Sequence, residues 1–138
     1  MPSELSWLVG KVLAAITQRE HLWCFTFSDD GSVVTECVWR LITKDGICVT
    51  SEDHGQMFGL KSPVDASERV LTATQEKKII QISIAASTSD LMLTFEGDII
   101  LQFLNISCGY EAWRATHGSN DVICLGGGTL WKNENIGG

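Results

Sequence analysis

The segment from Ser51 to Leu60 concentrates the side chains best suited to chemistry. Asp53 and His54 are adjacent and Gln56 follows closely, in a stretch with neither the period of a strand nor that of a helix. A carboxylate beside an imidazole could orient the ring or ligate a metal. Consecutive side chains of extended backbone point apart, however. We therefore favour a structural interpretation, in which His54 and Gln56 satisfy buried backbone groups of a rigid connection.

Two arginines form the next feature, because the pair Trp39–Arg40 recurs as Trp113–Arg114. On a strand, each tryptophan would face the core and each arginine the solvent or a partner. Arg40 and Arg114 could together bind a carboxylate or phosphate. The favoured interpretation is that each pairs with a nearby acid, such as Glu36 or Glu111.

The common catalytic and metal-binding patterns are missing from the sequence. The three histidines do not form an HExxH motif, and the five cysteines have no zinc or redox spacing. Gly126–Gly128 precedes Thr129–Trp131 rather than a helix, which predicts a flexible turn and not a phosphate loop. We expect no metal and no cofactor, and catalysis, although not excluded, has no support.

Alternation of apolar and polar residues dominates the chain and predicts an α+β fold that is mainly β. Leu22–Cys37 is predicted as a hairpin, and similar strand patterns return from Ile79 to Leu104 and again after Ala112. One helix, about residues 63–76, is predicted between these blocks, with Ser62 as its N-cap. The expected architecture is a set of antiparallel meanders forming a sandwich or partly open barrel, with the helix on its flank.

The two strand blocks resemble each other, which predicts an internal duplication with halves of about 8–50 and 78–131 in a single domain, 1–138. Three dipeptides recur in the same order: Thr26–Phe27 as Thr94–Phe95, Trp39–Arg40 as Trp113–Arg114, and Ile47–Cys48 as Ile123–Cys124.

The composition of the chain limits the classes of molecule that it could bind. The 138 residues include 17 acidic and 10 basic side chains, a formal net charge of −7, which argues against nucleic-acid and anionic-membrane binding. No apolar run is long enough to span a bilayer, and most cysteines lie in strand-like apolar runs. These features predict a cytoplasmic protein with reduced thiols. Thr129–Trp131 or Ser32–Cys37 could act as an edge strand that pairs two copies into a homodimer.

Several motifs also carry a resemblance. Ser51–Gln56 (Ser-Glu-Asp-His-Gly-Gln) and Gly109–Trp113 (Gly-Tyr-Glu-Ala-Trp) are the most specific, and Glu36–Leu41, Pro63–Ala66 and Asp90–Phe95 add to them. From about Val9 to Gly128 the chain resembles a family of small bacterial proteins of unknown function. The resemblance implies a soluble, single-domain prokaryotic protein and carries no catalytic residue or cofactor. Small acidic proteins of this sort often occur as immunity proteins beside secreted toxins.

Two functions follow as expectations. The first is a non-catalytic protein-interaction module, of the immunity type, that binds a basic toxin through its acidic surface. The alternative is a small-molecule-binding protein or hydrolase, which requires two distant segments to converge on one pocket. Its residues would be Asp53, His54 and Gln56 with Tyr110, Glu111 and Arg114.

Overall fold

The computed structural model describes residues 3–133 and contains eleven strands and one α-helix among them. The strands are β1 (Leu13–Arg19), β2 (Leu22–Phe27), β3 (Ser32–Thr35), β4 (Trp39–Thr43), β5 (Gly46–Thr50), β6 (Ile79–Ile84), β7 (Leu91–Phe95), β8 (Ile99–Phe103), β9 (Trp113–His117), β10 (Asn120–Cys124) and β11 (Leu130–Asn133). The helix α1 spans Ala66–Ala73. Short 3₁₀ turns lie at Ser3–Leu8, Ser28–Asp30, Ser51–Asp53 and Gly126–Gly128.

The strands form two antiparallel sheets, which confirms the predicted mainly-β α+β sandwich. One sheet has the order β1-β2-β3-β9-β10-β11 and the other β5-β4-β8-β7-β6. Alternate residues of each strand are buried, and the edge-to-face contacts of Phe25 with Trp39 (5.3 Å) and Phe103 (5.1 Å) join the two inner faces. The sheets do not close into a barrel.

The two halves share one strand order and one register. Each supplies a three-stranded meander to one sheet (β1–β3 or β6–β8) and a hairpin to the other (β4–β5 or β9–β10). Trp39 lies opposite Phe103, and Trp113 occupies the equivalent place opposite Thr35. Both first strands also carry a bulge at the same step, after Leu13 and after Ile79. Descent by duplication remains a prediction.

One of the three dipeptide matches was out of register. Val49 pairs with Leu41, and Val122 pairs with the equivalent residue Ala115. Val49 therefore corresponds to Val122, and Ile47–Cys48 does not correspond to Ile123–Cys124. Ile47 pairs with Ile42 as Asp121 pairs with the equivalent residue Thr116, so Ile47 corresponds to Asp121.

The helix is shorter than predicted and begins at Ala66 rather than Pro63. The backbone of Val64 is used elsewhere: its N–H donates to Gln56 O and its carbonyl accepts from Gly55 N, each at 2.9 Å. Asp65, not Ser62, is the N-cap, and its side chain accepts from Glu68 N at 3.1 Å. The helix packs against β1 and β5, which are edge strands of different sheets.

Of the two strands expected at a sheet edge, one lies inside its sheet and the other lies at the edge. Ser32–Cys37 was expected at an edge, but β3 pairs with both β2 and β9 and lies inside its sheet. Thr129–Trp131 falls at the outermost strand, β11, which pairs with β10. Pairing of two copies through β11 stays a prediction.

The connections divide between two ends of the sandwich. One end, which we call the crossover end, carries both links between the sheets and consists of residues 20–21, 36–38, 51–54, 85–90, 104–112 and 125–129. The opposite end carries residues 28–31, 44–45, 74–78, 96–98 and 118–119. Within residues 3–133, no helix has the length and apolar character needed to cross a membrane.

Candidate functional site

Asp53 holds the turn that follows β5. Its Oδ2 accepts from Thr50 N at 2.9 Å, while the Thr50 hydroxyl accepts from Glu52 N at 3.0 Å. This reciprocal capping arrangement satisfies backbone donors at the start of the 3₁₀ turn. The carboxylate that could have oriented the imidazole or ligated a metal is therefore bonded to backbone.

His54 is bonded to the start of the helix. Its Nδ1 accepts from Ala66 N at 3.1 Å, so the ring presents its proton on Nε2. The ring also packs edge-to-face on Trp23, with centroids 5.2 Å apart. This is the structural role we favoured for His54. Gln56 contributes only backbone bonds here, because its N donates to Asp53 O, its carbonyl accepts from Val64 N, and its side chain is exposed.

Replacing His54 with alanine tests that role. H54A removes the acceptor for one N–H in the first turn of α1, so we expect a loss of about 1 kcal/mol in unfolding free energy, the usual worth of one capping bond. Urea unfolding gives the stability, and hydrogen exchange of the Ala66 amide should accelerate more than that of Val70. Unchanged exchange at Ala66 would contradict the capping role.

The two arginines lie on different outer faces and pair with residues other than those expected. Arg40 Nε donates to Gln102 Oε1 at 2.6 Å, not to Glu36. Arg114 binds the Asp121 carboxylate through Nε (2.9 Å) and Nη2, not Glu111, and this pairing raises the pKa of Arg114. Gln102 lies directly opposite Arg40 on the neighbouring strand β8, and Asp121 lies diagonally across the β9–β10 hairpin from Arg114.

Tyr110 and Glu111 are exposed at the crossover end, Tyr110 with 82% of its surface free. Glu111 and Arg114 line a shallow cavity of ≈ 260 Å³ together with Leu22 and Glu36. Asp53, His54 and Gln56 do not line this cavity. The structure thus does not bring the two segments of the small-molecule alternative together there, and that alternative stays a prediction.

A second depression of ≈ 300 Å³ lies beside the first, and we call it the crossover groove. Glu36 lines both depressions. The lining residues of the crossover groove are Gln18, His21, Trp23, Glu36, Cys37, Val38, Ser51, Glu52 and Ile106. Glu52, His21 and Ile106 were not among the predicted site residues. The available signal was the absence of lysine and arginine from residues 20–21, 36–38, 51–54, 85–90, 104–112 and 125–129.

A larger cavity of ≈ 610 Å³ lies beside α1 and involves none of the predicted site residues. Its charged lining mixes signs, with Lys61 and Arg69 beside Asp65 and Glu68. Met57, Phe58 and Leu60 are exposed in the preceding loop. In the described part of the chain, no group of three His, Cys, Asp or Glu side chains is placed to hold a metal ion.

No family model, curated protein or solved structure matches the chain.

The thiols of Cys124 and Cys37 are buried, which makes stability depend on alkaline pH. Burial, with smaller contributions from Cys37 and Asp90, raises the pKa of Cys124 from 9.0 to about 11, and burial also raises the pKa of Cys37. The unfolded thiol therefore releases its proton at a lower pH than the folded one.

Because of this difference, we expect unfolding free energy to be unaffected by Cys124 below pH 9.0 and to fall as the pH rises from 9.0 towards about 11. Urea unfolding at pH 8 to 11, compared between the native protein and C124A, measures the contribution. The variant should lose less stability across this window, and an equal loss would contradict the prediction.

Proposed function

We propose that this chain is a non-catalytic protein-interaction module that binds a basic protein, as an immunity-type protein binds a toxin. A bacterial origin and a cytoplasmic location belong to the proposal. All five cysteines are free, which suits a reducing compartment.

The charge of the crossover end carries the proposal. Its connections contain six acidic side chains and no lysine or arginine. The acids are Glu20, Glu36, Glu52, Asp53, Asp90 and Glu111. The opposite end mixes signs, because Lys44, Lys77 and Lys78 lie among its acids. Of the arginines that flank this end, Arg114 is paired with Asp121, Arg40 donates to Gln102, and Arg19 ends β1. A surface with an excess of one sign attracts a partner of the other and accelerates their encounter.

Three of these acids, Glu36, Glu52 and Glu111, are also available, whereas Asp53 and Asp90 accept hydrogen bonds from backbone N–H groups. Neither the Lys11–Asp29 nor the Arg114–Asp121 ion pair involves Glu36, Glu52 or Glu111. Glu36, Glu52 and Glu111 are exposed. A basic partner would therefore not have to displace an internal ion pair to reach them.

Exposed apolar side chains at the same end favour a protein partner over a small cation. Ile106, which lines the crossover groove, and Tyr110 are 66% and 82% exposed, and Leu22, which lines the first depression, is 38% exposed. Apolar and aromatic side chains inside a polar rim are the usual composition of a protein interface. The side chains of Asp53 and His54 accept hydrogen bonds from backbone N–H groups, which supports the non-catalytic part of the proposal.

The test uses the basic proteins encoded beside this gene. Each is co-expressed with the chain, and pull-down and rescue from toxicity are measured. We expect one of them to bind, and we expect E36K/E52K/E111K to slow its association at least tenfold at low salt.

The matched control changes the same charge at the opposite end. D45K/E76K/D98K alters three exposed acids there and should leave association within a factor of about two, because its charges are distant and screened. Equal slowing by both triple variants would overturn the surface assignment. Failure of every neighbouring basic protein to bind would overturn the immunity-type proposal.

A further inference from the structure

The loop that leads into α1 presents three large apolar side chains to solvent within four residues. Met57, Phe58 and Leu60 are all exposed, and Phe58 has 67% of its surface free. Single exposed apolar residues are common on proteins, but a group of them is typical of a binding surface. The loop is held at its base, because Val64 exchanges backbone hydrogen bonds with Gly55 and Gln56.

The backbone of Phe58 is also strained. Its φ is +45°, in the left-handed region that a bulky residue rarely adopts, and the φ of the following Gly59 is +77°. Leu60 N donates to Met57 O at 2.7 Å and closes the turn around Phe58. Glycine or asparagine would adopt this backbone at a lower cost. A strained position that exposes an aromatic ring favours a role in binding over a role in stability.

The cavity of ≈ 610 Å³ beside α1 begins at the same loop. Leu60 lines it, whereas Phe58 does not. Its volume lies within the range of about 300–1,000 Å³ that is usual for ligand sites, so it has room for an aromatic side chain. We call this cavity and the loop residues 57–63 together the α1 surface. The apolar part of the cavity lining consists of Cys48, Leu60, Pro63, Val64 and Ala73.

The charges at this cavity balance. Lys61 and Arg69 line it together with Asp65 and Glu68, and all four residues are exposed. The Lys11–Asp29 and Arg114–Asp121 ion pairs do not involve them. The whole chain has a net charge of −7, so two copies repel each other over most of their surface. A neutral surface with both signs can face a second copy of itself, because cations of one copy then meet acids of the other.

We propose that two copies of the chain associate through their α1 surfaces across a twofold axis, with Phe58 of each copy placed in the cavity of the other. A twofold interface requires one surface to supply both the projecting group and the cavity that receives it. The α1 surface supplies both. Its cavity shares no lining residue with the two depressions of the crossover end, so the inference does not rest on the proposed function.

Sedimentation of the whole native chain at low salt measures the association. Between about 1 μM and about 1 mM, a range that covers weak and moderate dimers, we expect the mean mass to rise reversibly from 15.1 kDa towards twice that value. A mass that stays at 15.1 kDa up to the highest concentration would overturn the proposal.

Phe58→Asn removes the projecting ring and relaxes the backbone, since asparagine tolerates a positive φ. We expect F58N to associate at least tenfold more weakly, while its urea midpoint, measured where the chain is monomeric, stays equal or rises. The matched control is W131T, which removes an exposed aromatic side chain from the edge strand β11 and should change association by less than about twofold. Loss of association in W131T but not in F58N would place the interface at β11 and overturn the proposal. A lower midpoint in F58N would show that Phe58 serves the fold, with the same consequence.

A second pair of variants tests the charges. K61S/R69S removes both cations from the cavity, and N120D/N133D lowers the net charge by the same two units at exposed positions of β10 and β11. We expect K61S/R69S to weaken association at least fivefold at low salt and less at high salt, and N120D/N133D to change it by less than about twofold. Equal weakening by both variants would mean that net charge, and not the α1 surface, controls association, and would overturn the proposal.

Discussion

Replacing Gly128 with alanine is expected to destabilise the protein by about 3–5 kcal/mol, the sum of backbone strain and overpacking. Gly128 has a φ of +109°, which residues with a Cβ rarely adopt. A Cβ there would also overlap the carbonyl oxygen of Ser87, a backbone atom in the loop that covers Trp113. Since Gly128 O also accepts from the Ser89 hydroxyl, neither segment can move freely to relieve the overlap. Urea unfolding measures the loss.

Gly46→Ala is the matched control for that overlap. Gly46 has nearly the same φ, +112°, but no atom lies within 4 Å of a Cβ built on it. Its substitution should cost only the conformational strain, about 1–3 kcal/mol. Equal losses in the two variants would show that the approach of Gly128 to Ser87 does not matter for stability.

Trp113→Phe is expected to destabilise the protein more than Trp39→Phe, by about 1–3 kcal/mol, the usual cost of leaving a buried polar group unpaired. Both substitutions remove the same indole atoms from fully buried positions. Only W113F removes the N–H donor to Ser89 O, whereas W39F removes a donor that has no acceptor in the described chain. Urea unfolding of both variants, with unchanged slopes, gives the difference directly. Equal destabilisation by both variants would contradict the difference in their hydrogen bonds.

The sequence predicted which side chains of the strands are buried better than it predicted which strands pair with each other. Alternation along Leu22–Phe27 and the Trp–Arg pairs placed the buried side chains correctly, because a strand exposes one face at every second residue. It could not show that Ser32–Thr35 pairs with Trp113–Thr116, since that contact joins residues far apart in the chain. The interior position of β3 and the pairing of Arg40 with Gln102 were missed for this reason.

The local signals failed where a tertiary contact competed with them. Ser62 and Pro63 have the residue types of a helix start, but the bonds of Val64 to Gly55 and Gln56 delay α1 until Ala66. Gly126–Gly128 was expected to be a flexible turn and is instead a close backbone contact. A Cβ at Gly126 would overlap the backbone of Gly109, as one at Gly128 would overlap Ser87.

The candidate site was only partly predictable. Glu111 was selected from its neighbours in sequence, but Glu52 and His21 join it at the crossover end only through the topology. Glu36 was considered as a partner for Arg40 and lies instead between the two depressions. The difference in hydrogen bonding between Trp39 and Trp113 involves Ser89 in another loop, which a match of dipeptides cannot show.

Because the two halves exchange strands, the order in which strands emerge during synthesis determines when each sheet can form. β4 needs β8 and β3 needs β9, so the five-stranded sheet of a nascent chain is complete only when Phe103 has left the ribosome, and the six-stranded sheet only when β11 has followed. Until then β3 and β4 present unpaired edges that invite aggregation. Such pairings distant in sequence also slow folding. Two fragments divided between α1 and β6 would each lack these partners, and each should acquire its structure only when the other is added.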